Sequence, residues 1–136
     1  MFVDFMLIYT DGACSGNPGK MGIGAVLIKN GVAVKKISES IGDGTNNIAE
    51  YTAVIRALEE VQKLGEMDIT LRSDSELLVK QLRGEYRIRA IHLRDLKRKI
   101  DEICKGKGHE LHVIFEHVPR EQNKTADKLS KDAIGL

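Results

Sequence analysis

Tryptophan is missing from this 136-residue chain, and aromatic residues make up only 4% of it. A core therefore has to be built from Leu, Ile, Val and Ala. Long apolar runs are missing too. None approaches the roughly 20 residues that a membrane-crossing helix needs, so no membrane partner is expected. Cysteine occurs only at Cys14 and Cys104. Two thiols cannot form a disulfide scaffold or, alone, a structural zinc site, and they fit a reducing, cytoplasmic setting. The opening residues, Met1-Phe2-Val3-Asp4, lack the basic segment and apolar stretch of a secretory signal. Proline occurs only at Pro18 and Pro119, both at turn or strand-end positions. With no repeat, low-complexity tract or linker, residues 1–136 read as one domain, expected to be a monomer.

A strong net charge is also lacking: the total is +1. Its distribution is uneven, however. Residues 80–107 carry ten Lys or Arg against four acids, a local +6, which leaves −5 for the remainder. A basic stretch beside an acidic remainder suits a polyanion bound near an acidic metal site; it also suits a plain solvated helix face.

Hydrophobic periodicity divides the chain into strands at 5–10, 22–29 and 32–40, joined by turns at Gly16-Asn17-Pro18-Gly19 and Asn30-Gly31. A loop at 42–47 ends in helix-capping residues. A helix follows over 47–64, with Tyr51, Val54, Ile55, Leu58 and Val61 on one side and Gly65 as its stop. Then come a strand at 69–73, a helix at 75–82 capped by Ser73 or Asp74, a basic connector at 83–90, and a helix at 91–104. A strand at 111–118 and a helix at 123–134 complete the order βββαβααβα. That order predicts an α/β fold with a five-stranded mixed sheet.

Four acids stand where apolar or capping residues are expected. Asp11 and Asp74 each end a strand run, Glu50 shares the inward stripe of its helix, and Asp127 lies just inside the last helix. Each alone has an innocent reading as a turn residue, a cap or a first-turn acid. If the first and fourth strands lie parallel and adjacent, Asp11 and Asp74 emerge at the same sheet end, where ligand sites of such sheets form. Together the four make an all-oxygen set that suits Mg²⁺, or Mn²⁺, rather than zinc. Two such ions roughly 3.5–4 Å apart can activate a water and stabilise the leaving oxygen of a phosphodiester.

The segments around these acids resemble type 1 ribonuclease H. They are Tyr9-Thr10-Asp11-Gly12-Ala13-Cys14-Ser15-Gly16-Asn17-Pro18-Gly19, Thr45-Asn46-Asn47-Ile48-Ala49-Glu50-Tyr51, Ser73-Asp74-Ser75, and Val118-Pro119-Arg120-Glu121-Gln122-Asn123-Lys124-Thr125-Ala126-Asp127. The resemblance implies a ribonuclease H-like fold and two-metal hydrolysis of the RNA strand of an RNA–DNA hybrid, leaving 5′-phosphate and 3′-hydroxyl ends. By position it implies that Asp11 bridges both ions, Asp74 and Glu50 hold the nucleophile-side ion, and Asp127 holds the leaving-group side. It places Gly12, Cys14, Asn17, Asn46 and Asn47 at the hybrid's minor groove, where 2′-hydroxyls distinguish RNA from DNA, and Thr45 at a phosphate.

The chain also departs from the better-known members. Many carry a His on a loop before the last Asp. Here His117 falls inside the strand at 111–118, and Arg120 of the short R-E-x-N segment is the better counterpart. The basic helical protrusion of some members is reduced to residues 83–90, so Arg87 and Arg89 are expected to supply phosphate contacts. Glu76 replaces a Gln common two residues after the third acid. That change opens the alternative of activity on double-stranded RNA. A non-catalytic nucleic-acid-binding domain is the remaining alternative, and the intact set of four acids argues against it.

Overall fold

Alternating burial drives the first strand of the computed structural model, which describes residues 5–136. Met6, Ile8 and Thr10 are buried on one side of β1 (Met6–Gly16), while Leu7, Tyr9 and Asp11 face the other. The segment Met1-Phe2-Val3-Asp4, read above for a secretory signal, lies outside the described residues. β1 pairs antiparallel with β2 (Gly19–Lys29) across the turn at Asn17-Pro18. β2 returns into β3 (Val32–Gly44) through Asn30 and Gly31, both at positive φ (51° and 77°). That is the backbone a two-residue hairpin turn of the right twist requires.

Three boundaries differ from the sequence expectation by three residues or more. β1 runs past Asp11 to Gly16, β2 starts at Gly19, and β3 continues to Gly44 through residues with loop composition. Cross-strand pairing explains all three: Asp11 pairs with Gly24, Cys14 with Met21, Lys20 with Asp43 and Gly19 with Gly44. Glycines and short polar residues disfavour an isolated strand, but a ladder already started on both sides carries them.

α1 (Asn46–Leu64) begins where the Thr45 hydroxyl accepts a hydrogen bond from the Ile48 N–H at 3.3 Å, and it ends at Gly65 in the left-handed region. Its inward residues Tyr51, Val54, Ile55, Leu58 and Val61 are all buried, as their spacing predicts. β4 (Asp68–Ser73) runs parallel to β1, in register Met6–Ile69 to Tyr9–Arg72. α2 (Glu76–Leu82) is capped by Ser75, whose hydroxyl accepts from the Leu78 N–H, and not by Ser73 or Asp74. The exchange leaves the Asp74 carboxylate free of capping. α3 (Ile91–Lys105), β5 (His112–His117), a single 3-10 turn at Arg120–Gln122 and α4 (Lys124–Asp132) complete the chain.

The strands lie in the order β3-β2-β1-β4-β5, with β4 and β5 also parallel, so the sheet is mixed and five-stranded as expected. α1 and α4 sit on opposite faces. A side chain at Gly12 would meet the backbone of Ala49 and Glu50 at 2.5 Å, and one at Gly24, the partner of Asp11, would run into the Ala126 carbonyl. Both positions need glycine because a helix backbone presses directly on the strand. The main core fills the α1 side, where Ile8, Ile23, Leu27, Leu58 and Leu71 meet Leu93 and Ile100 of α3. Among the described residues no helix is long and apolar enough to cross a membrane.

Candidate active site

The parallel register of β1 and β4 decides where two acids go. Tyr9 pairs with Arg72, and Asp11 and Asp74 each lie two residues further on. Both therefore stand at the same end of β4, side by side, Asp74 just past its last residue and Asp11 still within β1. β4 stops there while β1 continues, so the strands separate and helices from both faces reach the gap. Gly12 admits the first turn of α1, which brings Glu50 from one side. Gly24 admits α4, which brings Asp127 from the other.

All four carboxylates line one open cleft of about 290 Å³, together with Gly12, Cys14, Asn46, Arg120 and Lys131. Asp11 accepts a hydrogen bond from the Gly12 N–H at 2.9 Å. Burial, then the charge of Asp74, then the approach of the Asp127 carboxyl push the Asp11 carboxyl up to about 8. The Gly12 bond opposes them only in part. Glu50 is also raised, first by burial and then by Asp74, against a hydrogen bond from the Ser75 hydroxyl that favours its charged form. Among the described residues no three His, Cys, Asp or Glu side chains form a ready-made cation cage, so the carboxylates line the cleft without enclosing a point. The donor set nevertheless fits a hard divalent cation. It is all oxygen, half-buried, and so crowded with like charge that Asp11 is driven toward protonation.

Other expected site residues divide. Gly12, Cys14 and Asn46 line the cleft. The Cys14 thiol donates to the Gly44 carbonyl at 3.2 Å, and the Asn17 side-chain oxygen accepts from the Asn46 N–H at 3.2 Å, which ties the first turn to the start of α1. Thr45 serves as the cap of α1, and Asn47 is exposed beside it. Arg87 and Arg89 are exposed in the connector before α3 and do not border the acidic cleft. Arg120 borders it; His117 does not, and faces a separate hollow with Arg72, Arg83 and Glu116. A larger hollow of about 400 Å³ near Tyr9, Val26 and Ile28 contains no carboxylate, so size does not mark the functional site here.

Sequence reading missed three contributors. Lys131 holds Asp127 at 3.1 Å, a pair visible in principle as an i,i+4 spacing. Ser75 caps α2, and its hydroxyl also favours the charged form of Glu50. Asn123, 1% exposed, donates to the Thr10 carbonyl at 2.9 Å. Nothing local in the sequence signals that last contact, which spans 113 positions.

Known proteins share this fold. A family model described as reverse transcriptase-like matches residues 9–133. The chain is 41% identical over 127 residues to ribonuclease HI of Halobacterium salinarum, covering 93% of this chain and 62% of that protein. It is 36% identical over 141 residues to ribonuclease H of Prosthecochloris aestuarii, covering 95% and 94%. The crystal structure of LC11-RNase H1 in complex with an RNA/DNA hybrid matches with a TM-score of 0.89 at 41% identity, over 96% of each chain. The chain spans less than two thirds of the Halobacterium protein and 35% of a bifunctional Mycobacterium tuberculosis relative. A sheet of this order with an acidic cleft where β4 ends beside β1 is the ribonuclease H fold, and the chain belongs to the type 1 ribonuclease H family.

Proposed function

We propose that this chain is a divalent-cation-dependent endoribonuclease that hydrolyses the RNA strand of RNA–DNA hybrids, leaving 5′-phosphate and 3′-hydroxyl ends. One observation carries the reading: Asp11, Glu50, Asp74 and Asp127, from four separate elements, line a single cleft. The relative crystallised with an RNA/DNA hybrid supports the substrate class. In this reading Asp11 and Asp74 would hold the cations, helped by Glu50 from the α1 side and Asp127 from the α4 side. Bound Mg²⁺ or Mn²⁺ would supply Lewis-acid activation of a water and charge stabilisation at the leaving oxygen.

The chain's own groups do the rest. The Asp11 N-terminal neighbours hold its backbone in a ladder on both sides, so the carboxylate is preorganised. The small side chains of Gly12, Ala13 and Cys14 let a nucleic-acid groove approach the strand. Asn46 at the first turn of α1 presents an exposed amide to that groove, with Asn17 and Asn47 beside it. Thr45, Arg87 and Arg89 extend the contact along phosphates. Arg120, at the cleft margin, lends a fixed positive charge toward the scissile phosphate.

End-labelled hybrid, duplex RNA and duplex DNA of one sequence, compared in one buffer with Mg²⁺ or Mn²⁺, test this. Cleavage of the hybrid's RNA strand is expected, with loss of activity in Asp11→Asn and Asp74→Asn. Normal cleavage by those variants would remove the metal assignment. Duplex RNA cleavage at a rate near that of hybrid would establish the broader activity that Glu76 raises.

A further inference from the structure

The tie between Asn123 and β1 joins two acids that the sequence keeps far apart. Asn123 immediately precedes α4, where asparagine commonly caps a helix with its side-chain oxygen. Here it makes no cap. Its amide nitrogen turns instead to the Thr10 carbonyl, the peptide group that leads directly into Asp11. Its own backbone carbonyl accepts the N–H of Asp127 at 3.0 Å. One buried residue therefore holds the backbone of Asp11 with its side chain and the backbone of Asp127 with its main chain. Only the amide N–H is used, and its single target is the strand beside Asp11.

A second tie shows what is special about the first. The Ser38 hydroxyl donates to the Leu129 carbonyl at 2.6 Å and fixes the middle of α4 to β3. These two side-chain-to-backbone hydrogen bonds connect the Asn123–α4 segment to the sheet, beside the approach of the Asp127 carboxyl to Asp11. Both hold the helix down, but only Asn123 touches the backbone at Asp11 and Asp127.

We propose that Asn123 is a positioning residue that sets the spacing of Asp11 and Asp127, and thereby the cation affinity of the cleft. This rests on the reading of those carboxylates as cation ligands. An amide lost here lets the start of α4 drift from β1 by the slack of one hydrogen bond, enough to spoil a shared oxygen set because hard cations demand close ligand distances. Asn123 itself is buried and does not line the acidic cleft.

The test is Mn²⁺ binding without substrate, followed by the electron paramagnetic resonance signal of free Mn²⁺, on the full chain as wild type, Asn123→Ala, Asn123→Ser and Ser38→Ala. Circular dichroism first establishes that each is folded at the working temperature. Asn123→Ala is expected to bind Mn²⁺ at least about tenfold more weakly, while Ser38→Ala, which unties the same helix elsewhere, stays within about twofold of wild type. Should alanine prevent folding, Asn123→Ser, with a shorter donor, is expected to weaken binding several-fold. Wild-type affinity in either folded Asn123 variant, or equal weakening in Ser38→Ala, overturns the proposal. A wild type that binds no Mn²⁺ overturns the carboxylate reading, and this inference with it.

Discussion

Lys131 Nζ stands 3.1 Å from Asp127 Oδ2, one helical turn along α4, with both groups lining the acidic cleft. The ammonium thus sits on a carboxylate expected to hold a cation. An exposed i,i+4 pair contributes at most about 1 kcal/mol. Lys131→Gln should therefore tighten Mn²⁺ binding by about two- to fivefold in a calorimetric titration. Lys128→Gln makes the same change in net charge on a residue paired with Asp132 outside the cleft, and should leave affinity nearly unchanged.

Asp11 supplies a pH signature. Its carboxyl is raised from 3.8 to about 8 by burial and by Asp74 and Asp127. A raised carboxyl is neutral in the fold where the unfolded chain would ionise it. Its contribution to stability is full below about pH 4 and is lost as pH rises through about 8. Asp11→Asn carries no such penalty. In EDTA the variant should match wild type near pH 4 and exceed it increasingly up to about pH 8, by a few kcal/mol. Denaturant melts across that range check it; a gain that shrinks with rising pH would refute the assignment.

Gly12→Ala places a methyl group 2.5 Å from the backbone at Ala49 and Glu50. Rigid backbone cannot step aside cheaply, so α1 must shift away from β1 and take Glu50 with it. A loss of about 1–3 kcal/mol in stability is expected, with a larger proportional loss of cleavage because the carboxylate moves. Thermal melts and single-turnover cleavage on the same preparation separate the two effects.

Arg120 and His117 compete for one role on sequence spacing, and their surroundings differ. Arg120 borders the carboxylates while His117 is exposed in another hollow. Arg120→Ala is expected to lower the cleavage step by about tenfold or more, by loss of a positive charge near developing negative charge. His117→Ala should stay within about twofold. A large loss in His117→Ala with a silent Arg120→Ala would reverse the assignment.

Much of the fold was legible because hydrophobic period and punctuation agree. The inward stripe of α1, its stop at Gly65 and the Asn30-Gly31 turn all fall where expected. The extension of β1 and β3 was not, since Gly42-Asp43-Gly44 has the composition of a loop and becomes strand only by pairing with β2. The cap of α2 was misplaced by one or two residues, because Ser73, Asp74 and Ser75 are all good caps and only packing selects Ser75.

The sequence by itself determined the order of elements and the four acids, because periodicity and residue chemistry are local properties. Tertiary structure decided what local chemistry cannot. The parallel register of β1 and β4 places Asp11 beside Asp74. Glycines 12 and 24 let helices from opposite faces deliver Glu50 and Asp127. Lys131 and Asn123 join the site through contacts that only the folded chain makes. The reason is that like charges converge only where burial and hydrogen bonds elsewhere hold the backbone against their repulsion.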